Sequence, residues 1–264
     1  MADVTILPDG WPDHATYGWR ARLGLIVPPT NAANEAEWGR VLPDGVTLHV
    51  TRMPLHLHVD EPVGADHPLT RDLVAAASLL AQAGVSAIAY GCTAGSMIEP
   101  LEHLPALIQH STGIPGTTTA AALVDGLRSV GARRIVLISP YGETLQSAEA
   151  AFFRRQGFEI VSSRGLGIGE GGAQEYVRLR TLPPALVVAL ARAAMVPDAD
   201  AMLIACTDFG TLPVVATLEA DLGIPIVTSN QAQLWATLQV ANVRVAIPGW
   251  GALLDGTHHI LPHR

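Results

Sequence analysis

A chain of 264 residues, 49% hydrophobic and 15% charged, is long enough to bury the cores of two α/β lobes of about 120 to 130 residues each. Its net charge of −8, with only 16 Lys and Arg spread along the length, argues against nucleic acid as a partner, because phosphate binding needs clustered cations. No run of about 18 uncharged apolar residues is present to span a bilayer, and the opening MADVTILPDGWPDH lacks the basic-then-apolar order of a secretory signal, so no membrane partner and a cytoplasmic location are expected.

Residues 1–20, rich in Pro, Asp and Trp, read as a surface arm. A strand over Leu23–Val27 runs into Pro28-Pro29-Thr30-Asn31, where the prolines end it and a helix can begin, which places Asn31 at a strand-to-helix turn. Thr47–Met53 alternates as a second strand, and His56-Leu57-His58 continues extended. Residues 70–83 have helical periodicity, with Thr70 as N-cap and Gly84 as C-cap. A buried strand then leads to Cys92, followed by a helix near 99–110, a short strand at Ile114 and a helix over 119–129. The plan repeats. Ile135–Ser139 is a strand, Glu143–Gln156 a helix stopped by Gly157, and Glu159–Leu166 a strand that opens into a loop with five glycines between Gly165 and Gly172. A helix over Pro184–Met195, a turn at 197–200, the strand to Cys206, helices over 212–222 and 231–240 and a strand over 226–228 complete the pattern; residues 249–264 show no periodicity.

The chain's only two cysteines end equivalent strands, in VSAIAYGCTAGSM (85–97) and AMLIACTDFG (201–210), and each is followed by Thr. Cys92 follows Pro28 by 64 residues, and Cys206 follows Pro140 by 66; a Gly-Ile-Pro then follows each cysteine, at Gly113 and Gly223. With Gly131-Ala132-Arg133 in one half answered by Asn242-Val243-Arg244 in the other, four landmarks repeated in one order predict an α/β fold of two pseudo-symmetric lobes, each a mainly parallel sheet flanked by helices. The lobes divide as residues 1–130 and 131–264, with a site between them at the carboxyl ends of the strands. A cysteine in an apolar strand is by default an inert core residue, but core packing does not require matched strand ends, matched Thr neighbours and matched spacing. A strand end that feeds a helix N-terminus is expected to lower the thiol pKa, and the adjoining Thr hydroxyls and N–H groups are placed to hold a carboxylate oxygen. Two thiols on opposite faces of one planar carbon centre suit racemisation or isomerisation of an activated double bond, neither of which needs a metal or organic cofactor. His56 and His58 share a face without an evident third ligand, His258, His259 and His263 sit in the tail, and the glycine loop lacks the order of a dinucleotide site, so neither a metal nor a nucleotide is expected.

Val27-Pro28-Pro29-Thr30-Asn31, Tyr90-Gly91-Cys92-Thr93-Ala94-Gly95, Pro140-Tyr141 and Ala205-Cys206-Thr207 together resemble the aspartate/glutamate racemase superfamily, and most closely its branch of maleate cis-trans isomerases and arylmalonate decarboxylases. The resemblance runs from about Arg22 to Trp250. It implies that Cys92 is a nucleophile, that Cys206 donates and accepts a proton, and that Asn31, Thr93, Ala94, Tyr141 and Thr207 bind a small carboxylate substrate. A homodimer is implied as well. Decarboxylases of this branch carry Gly where Cys92 stands, and amino-acid racemases carry Cys-Asn-Thr at the first site, so the resemblance points to a cis-trans isomerase of a small dicarboxylate; a racemase or a decarboxylase of the superfamily is the alternative, and a binding protein with vestigial cysteines is a third reading. Maleate isomerases usually have an Asn in the loop where this chain has Gly169-Glu170-Gly171-Gly172. Asp208 either faces the pocket, which would disfavour a dianion, or caps the helix that follows it.

Overall fold

In the computed structural model, which describes residues 15–57, 63–64, 66–256 and 258, eight parallel strands form two four-stranded sheets. The first sheet contains β1 (Ala21–Val27), β2 (Val46–Arg52), β3 (Ala87–Tyr90) and β4 (Gly116–Thr118), in the order β2-β1-β3-β4. The second contains β5 (Arg134–Ile138), β6 (Glu159–Arg164), β7 (Ala201–Ile204) and β8 (Ile226–Thr228), in the matching order β6-β5-β7-β8. Central strands covered on both faces must be apolar throughout, and β3 and β7 are fully buried at every position. Their partners run in step: Ile26 of β1 pairs with Tyr90 of β3, and Ile138 of β5 with Ile204 of β7. In each sheet the chain leaves the first strand to one side and returns on the other, so a crevice opens beyond β1/β3 and beyond β5/β7. Asn31, Cys92, Tyr141 and Cys206 lie just past these four strand ends.

Nine α-helices occur among the described residues. They are α1 (Ala33–Val41), α2 (Pro68–Gln82), α3 (Thr93–Ser96), α4 (His103–Thr112), α5 (Thr119–Ser129), α6 (Glu143–Arg155), α7 (Pro184–Ala194), α8 (Leu212–Leu222) and α9 (Ser229–Val240). The sheets share one core: Leu23 and Leu25 of the first and Ile135 and Leu137 of the second belong to a single buried cluster, closed by α5, α9, Phe152 and Phe153. Helices α5 and α9 pack on one another at Gly126, where a Cβ would come within 3.3 Å of Val227 and 3.5 Å of Ala232. None of the described helices is long and apolar enough to cross a membrane.

The structure corrects several expected boundaries. Helix α2 starts at Pro68, capped by His67 Nδ1 accepting from the Leu69 N–H at 3.1 Å, because proline fits the first helical turn and Thr70 already lies inside it. The strand expected at Ile114 is β4, two residues later: Gly113 adopts φ 75° to end α4, and pairing to β3 then begins at Gly116. The tail contains a short 3-10 turn, Ala252–Leu254, which buries Leu253 and Leu254 in the shared core. The surface arm expected over residues 1–20 lies outside the described residues as far as residue 14, as do His58, His259 and His263.

Candidate active site

Both cysteines are free, buried and line one pocket with an empty volume of about 380 Å³ including its mouth. Cys92 ends its strand in ordinary extended backbone, and its Sγ caps α3 by accepting from the Gly95 N–H at 3.3 Å. Cys206 instead turns through φ 93°, a region that L-residues rarely occupy. The turn aims its thiol at the same cavity.

Polar groups along the pocket stitch the lobes together. Asn31 Nδ2 donates to Thr207 Oγ1 at 3.0 Å, and Thr207 Oγ1 donates onward to the Gly91 carbonyl at 3.1 Å. Asn31 Oδ1 meanwhile accepts from the Asn34 N–H, so this residue is at once a helix cap and a pocket residue. Thr93 pairs its hydroxyl with Ser229 at 2.9 Å, so both Thr hydroxyls beside the cysteines are engaged between lobes, and of the two only Thr207 lines the pocket. Ala94 lines it too.

Asp208 faces the pocket, the first of its two expected positions, but the helix it caps is not the one that follows it. Its Oδ1 caps α1 of the opposite lobe, accepting from the N–H groups of Ala32 and Ala33 at 2.8 and 3.2 Å, and it does not cap α8, the helix that follows. That role belongs to Glu37 of α1, whose Oε1 accepts from Thr211 and Leu212 N–H at 2.6 and 2.9 Å while Oε2 accepts from Asn230 Nδ2. Each lobe thus supplies the acid that satisfies the other's helix N-terminus. Asp208 Oδ2 has no partner, and the residue lines the pocket.

The expected lowering of the thiol pKa values does not occur. Burial pushes Cys92 up to about 11, against the opposing pull of the Gly95 N–H and the Tyr90 hydroxyl, because these two groups do not replace the lost water. Cys206 is pushed higher still by burial, with the Tyr141 hydroxyl working against it and the Asp208 carboxylate adding to it. Behind both lies Glu149 of α6, completely buried and pushed up to about 8 by burial.

Sequence reasoning missed the apolar wall. Leu55 and Leu57 face the pocket from the extended segment after β2, while His56 between them turns away to Asp72 at 2.8 Å, as a period of two requires. The remaining wall, Tyr176 and Leu179, comes from a 3-10 run, Ala173–Thr181, that followed the glycine loop without any periodic signal. Gly169, at φ 100°, lets the Tyr176 ring approach where a Cβ would sit 2.8 Å from it, and this ring meets Tyr141 edge-on at 6.1 Å. The glycine loop therefore makes room for a tyrosine in the pocket wall. Among the described residues, no group of three or more His, Cys, Asp or Glu is arranged to hold a metal.

Comparison with known proteins agrees with this geometry. The family profile described as arylmalonate decarboxylase matches residues 23–254. The chain is 30% identical to the maleate isomerase of Nocardia farcinica over 246 residues, 88% of this chain and 95% of that protein, and 31% identical to the arylmalonate decarboxylase of Bordetella bronchiseptica over 237 residues, 88% and 96%. Its structure matches that of a cysteine-to-serine variant of Nocardia farcinica maleate cis-trans isomerase with a covalently bound succinylcysteine intermediate, with a TM-score of 0.77 at 26% identity, covering 89% of this chain and 98% of that one. The two-lobed fold, the strand order and the profile converge, and the chain belongs to the arylmalonate decarboxylase family of enzymes.

Proposed function

We propose that the protein is a cofactor-independent cis-trans isomerase of a small cis-butenedioate-type substrate, of which maleate is the parent. The observation that carries this reading is the pair of free, buried thiols lining one pocket. In the active form Cys92 is the thiolate and Cys206 the thiol. Sulfur of Cys92 adds to one alkene carbon, the π electrons move into the adjoining acyl group, and Cys206 gives its proton to the neighbouring carbon. The former double bond is now single and rotates. Cys206 then takes a proton back from that carbon, the double bond re-forms in the trans sense, and the Cys92 thiolate leaves. No proton or electron is gained or lost overall.

Asn31 and the backbone at the two strand ends hold a carboxylate, and Tyr141 steadies the Cys206 sulfur as its charge appears. Decarboxylation needs a single thiol to reprotonate a carbanion, so the second thiol favours isomerisation. The succinylcysteine seen in the cysteine-to-serine variant of the Nocardia farcinica relative is the kind of protonated thioether adduct that this sequence of steps passes through. The test is fumarate formation from maleate, followed by proton NMR. Conversion should vanish in Cys92→Ala and Cys206→Ala alike, and substantial activity in either variant contradicts the assignment.

A further inference from the structure

We infer that Asp208 selects a substrate whose second acyl group is neutral and carries hydrogen-bond donors, so that the preferred substrate is the half-amide of a cis-butenedioic acid and not the dicarboxylate. This rests on the isomerase reading above and deepens it. Asp208 is 5% exposed and lines the pocket; Oδ1 is held by the Ala32 and Ala33 N–H groups, and Oδ2 is buried without a hydrogen-bond partner. A buried carboxylate oxygen left unsatisfied is costly, and a ligand that donates to it recovers that cost on binding. A second carboxylate placed there would instead set like charges side by side in a poorly solvated site.

The surroundings give a dianion little help. No Lys, Arg or His lines the pocket. Of the nearby cations, Arg52 bonds the Asn31 carbonyl and pairs with Glu35 at 2.8 Å, and Arg180, which acts on Asp208, is an exposed side chain. Glu149 adds an ionisable carboxyl behind the thiols. Among neutral donor groups the carboxamide is singled out by the chemistry: it keeps the shape of a carboxylate, remains conjugated with the alkene so that thiolate addition is still activated, and offers two N–H donors. An ammonium group on an alkene carbon would lack that conjugation.

The experiment measures kcat/KM for maleate and for its half-amide, with wild type and Asp208→Asn. Asparagine keeps an oxygen to cap α1 and turns an N–H₂ toward the pocket. Wild type should favour the half-amide by about ten-fold or more, the size expected for a hydrogen bond to a charged acceptor, and Asp208→Asn should reverse or erase that preference. Calorimetric binding of succinate and its half-amide, which cannot isomerise, is measured in parallel. If neither alkene reacts but the succinate half-amide binds wild type more tightly and the variant reverses the order, the isomerase reading fails and Asp208 selectivity stands. A wild-type preference for the dicarboxylate in both assays overturns the inference, whether or not the variant folds. So does a preference left unchanged by Asp208→Asn.

Discussion

The two cysteine corners begin from nearly the same sequence, an apolar strand ending in Cys-Thr, and finish as different chemical objects. Cys92 sits in relaxed extended backbone, caps a short helix through its sulfur, and has the Tyr90 hydroxyl behind it. Cys206 is forced to φ 93°, has an acid that faces the pocket two residues on, and has the Tyr141 hydroxyl opposing the rise in its pKa. Burial raises both thiols, but the Cys206 corner adds a carboxylate beside its sulfur. The difference fits the roles proposed above: Cys92, the less strongly raised of the two, as the thiolate, and Cys206 as the group that holds a proton until an acceptor carbon appears. A duplicated fold supplies two positions of equal geometry, and their neighbours make them unequal.

Several measurements break or sharpen that contrast. At pH 8.5, iodoacetamide should alkylate Cys92 faster than Cys206, since burial and the Asp208 carboxylate hold back the Cys206 thiolate more strongly, and peptide mass spectrometry reads both sites at once. Equal rates would erase the asymmetry. Tyr141→Phe should lower kcat about 10- to 100-fold by leaving the charged Cys206 sulfur without its donor. Tyr90→Phe should cost less, because Cys92 keeps the Gly95 N–H; steady-state kinetics of the two variants make the comparison.

A third measurement concerns stability. Glu149, pushed up from 4.5 to about 8, and Glu37, pushed up to about 7, are favoured in their protonated forms by the fold. Their contribution is complete below the unfolded value near 4.5 and is lost as pH rises through 7 to 8, so the melting temperature should fall across that window. Glu149→Gln should flatten the slope between about pH 4.5 and 8, a difference on the order of a few kcal/mol summed over that interval. A slope identical to wild type would show that Glu149 is ionised in the fold. The smallest effect is local. Because of its positive φ, position 206 should tolerate glycine better than alanine by about 1 kcal/mol, the reverse of the order in ordinary backbone, and urea unfolding of the two variants decides it.

The strands, the duplication and the placement of Asn31, Tyr141 and both cysteines were legible because buried parallel strands are written as short apolar runs and stop at proline or Cys-Thr. Helix α9 was legible only in part. Residues 229–238 are all buried, so its polar positions carry no amphipathic stripe; Gln233 bonds Asn34 and Asn230 bonds Glu37 of the other lobe. Such pairings join residues nearly 200 positions apart, and local pattern cannot announce them. The same holds for Asp208, whose cap lies across the cleft on α1, and for Tyr176, which enters the pocket only because Gly169 gives it room. Thiol acidity was misjudged for a related reason: the helix start is local and visible in sequence, whereas the desolvation that outweighs it comes from the whole fold.

The central claim is that two sulfurs act in turn on one guest, Cys92 by addition and Cys206 by proton transfer. Incubating Cys206→Ser with maleate, its half-amide in parallel, and taking the intact mass tests it directly. The account predicts one substrate-sized adduct per chain, mapped by peptide sequencing to Cys92 and absent from Cys92→Ala. An unmodified chain that nevertheless turns over, or an adduct carried elsewhere, would contradict it.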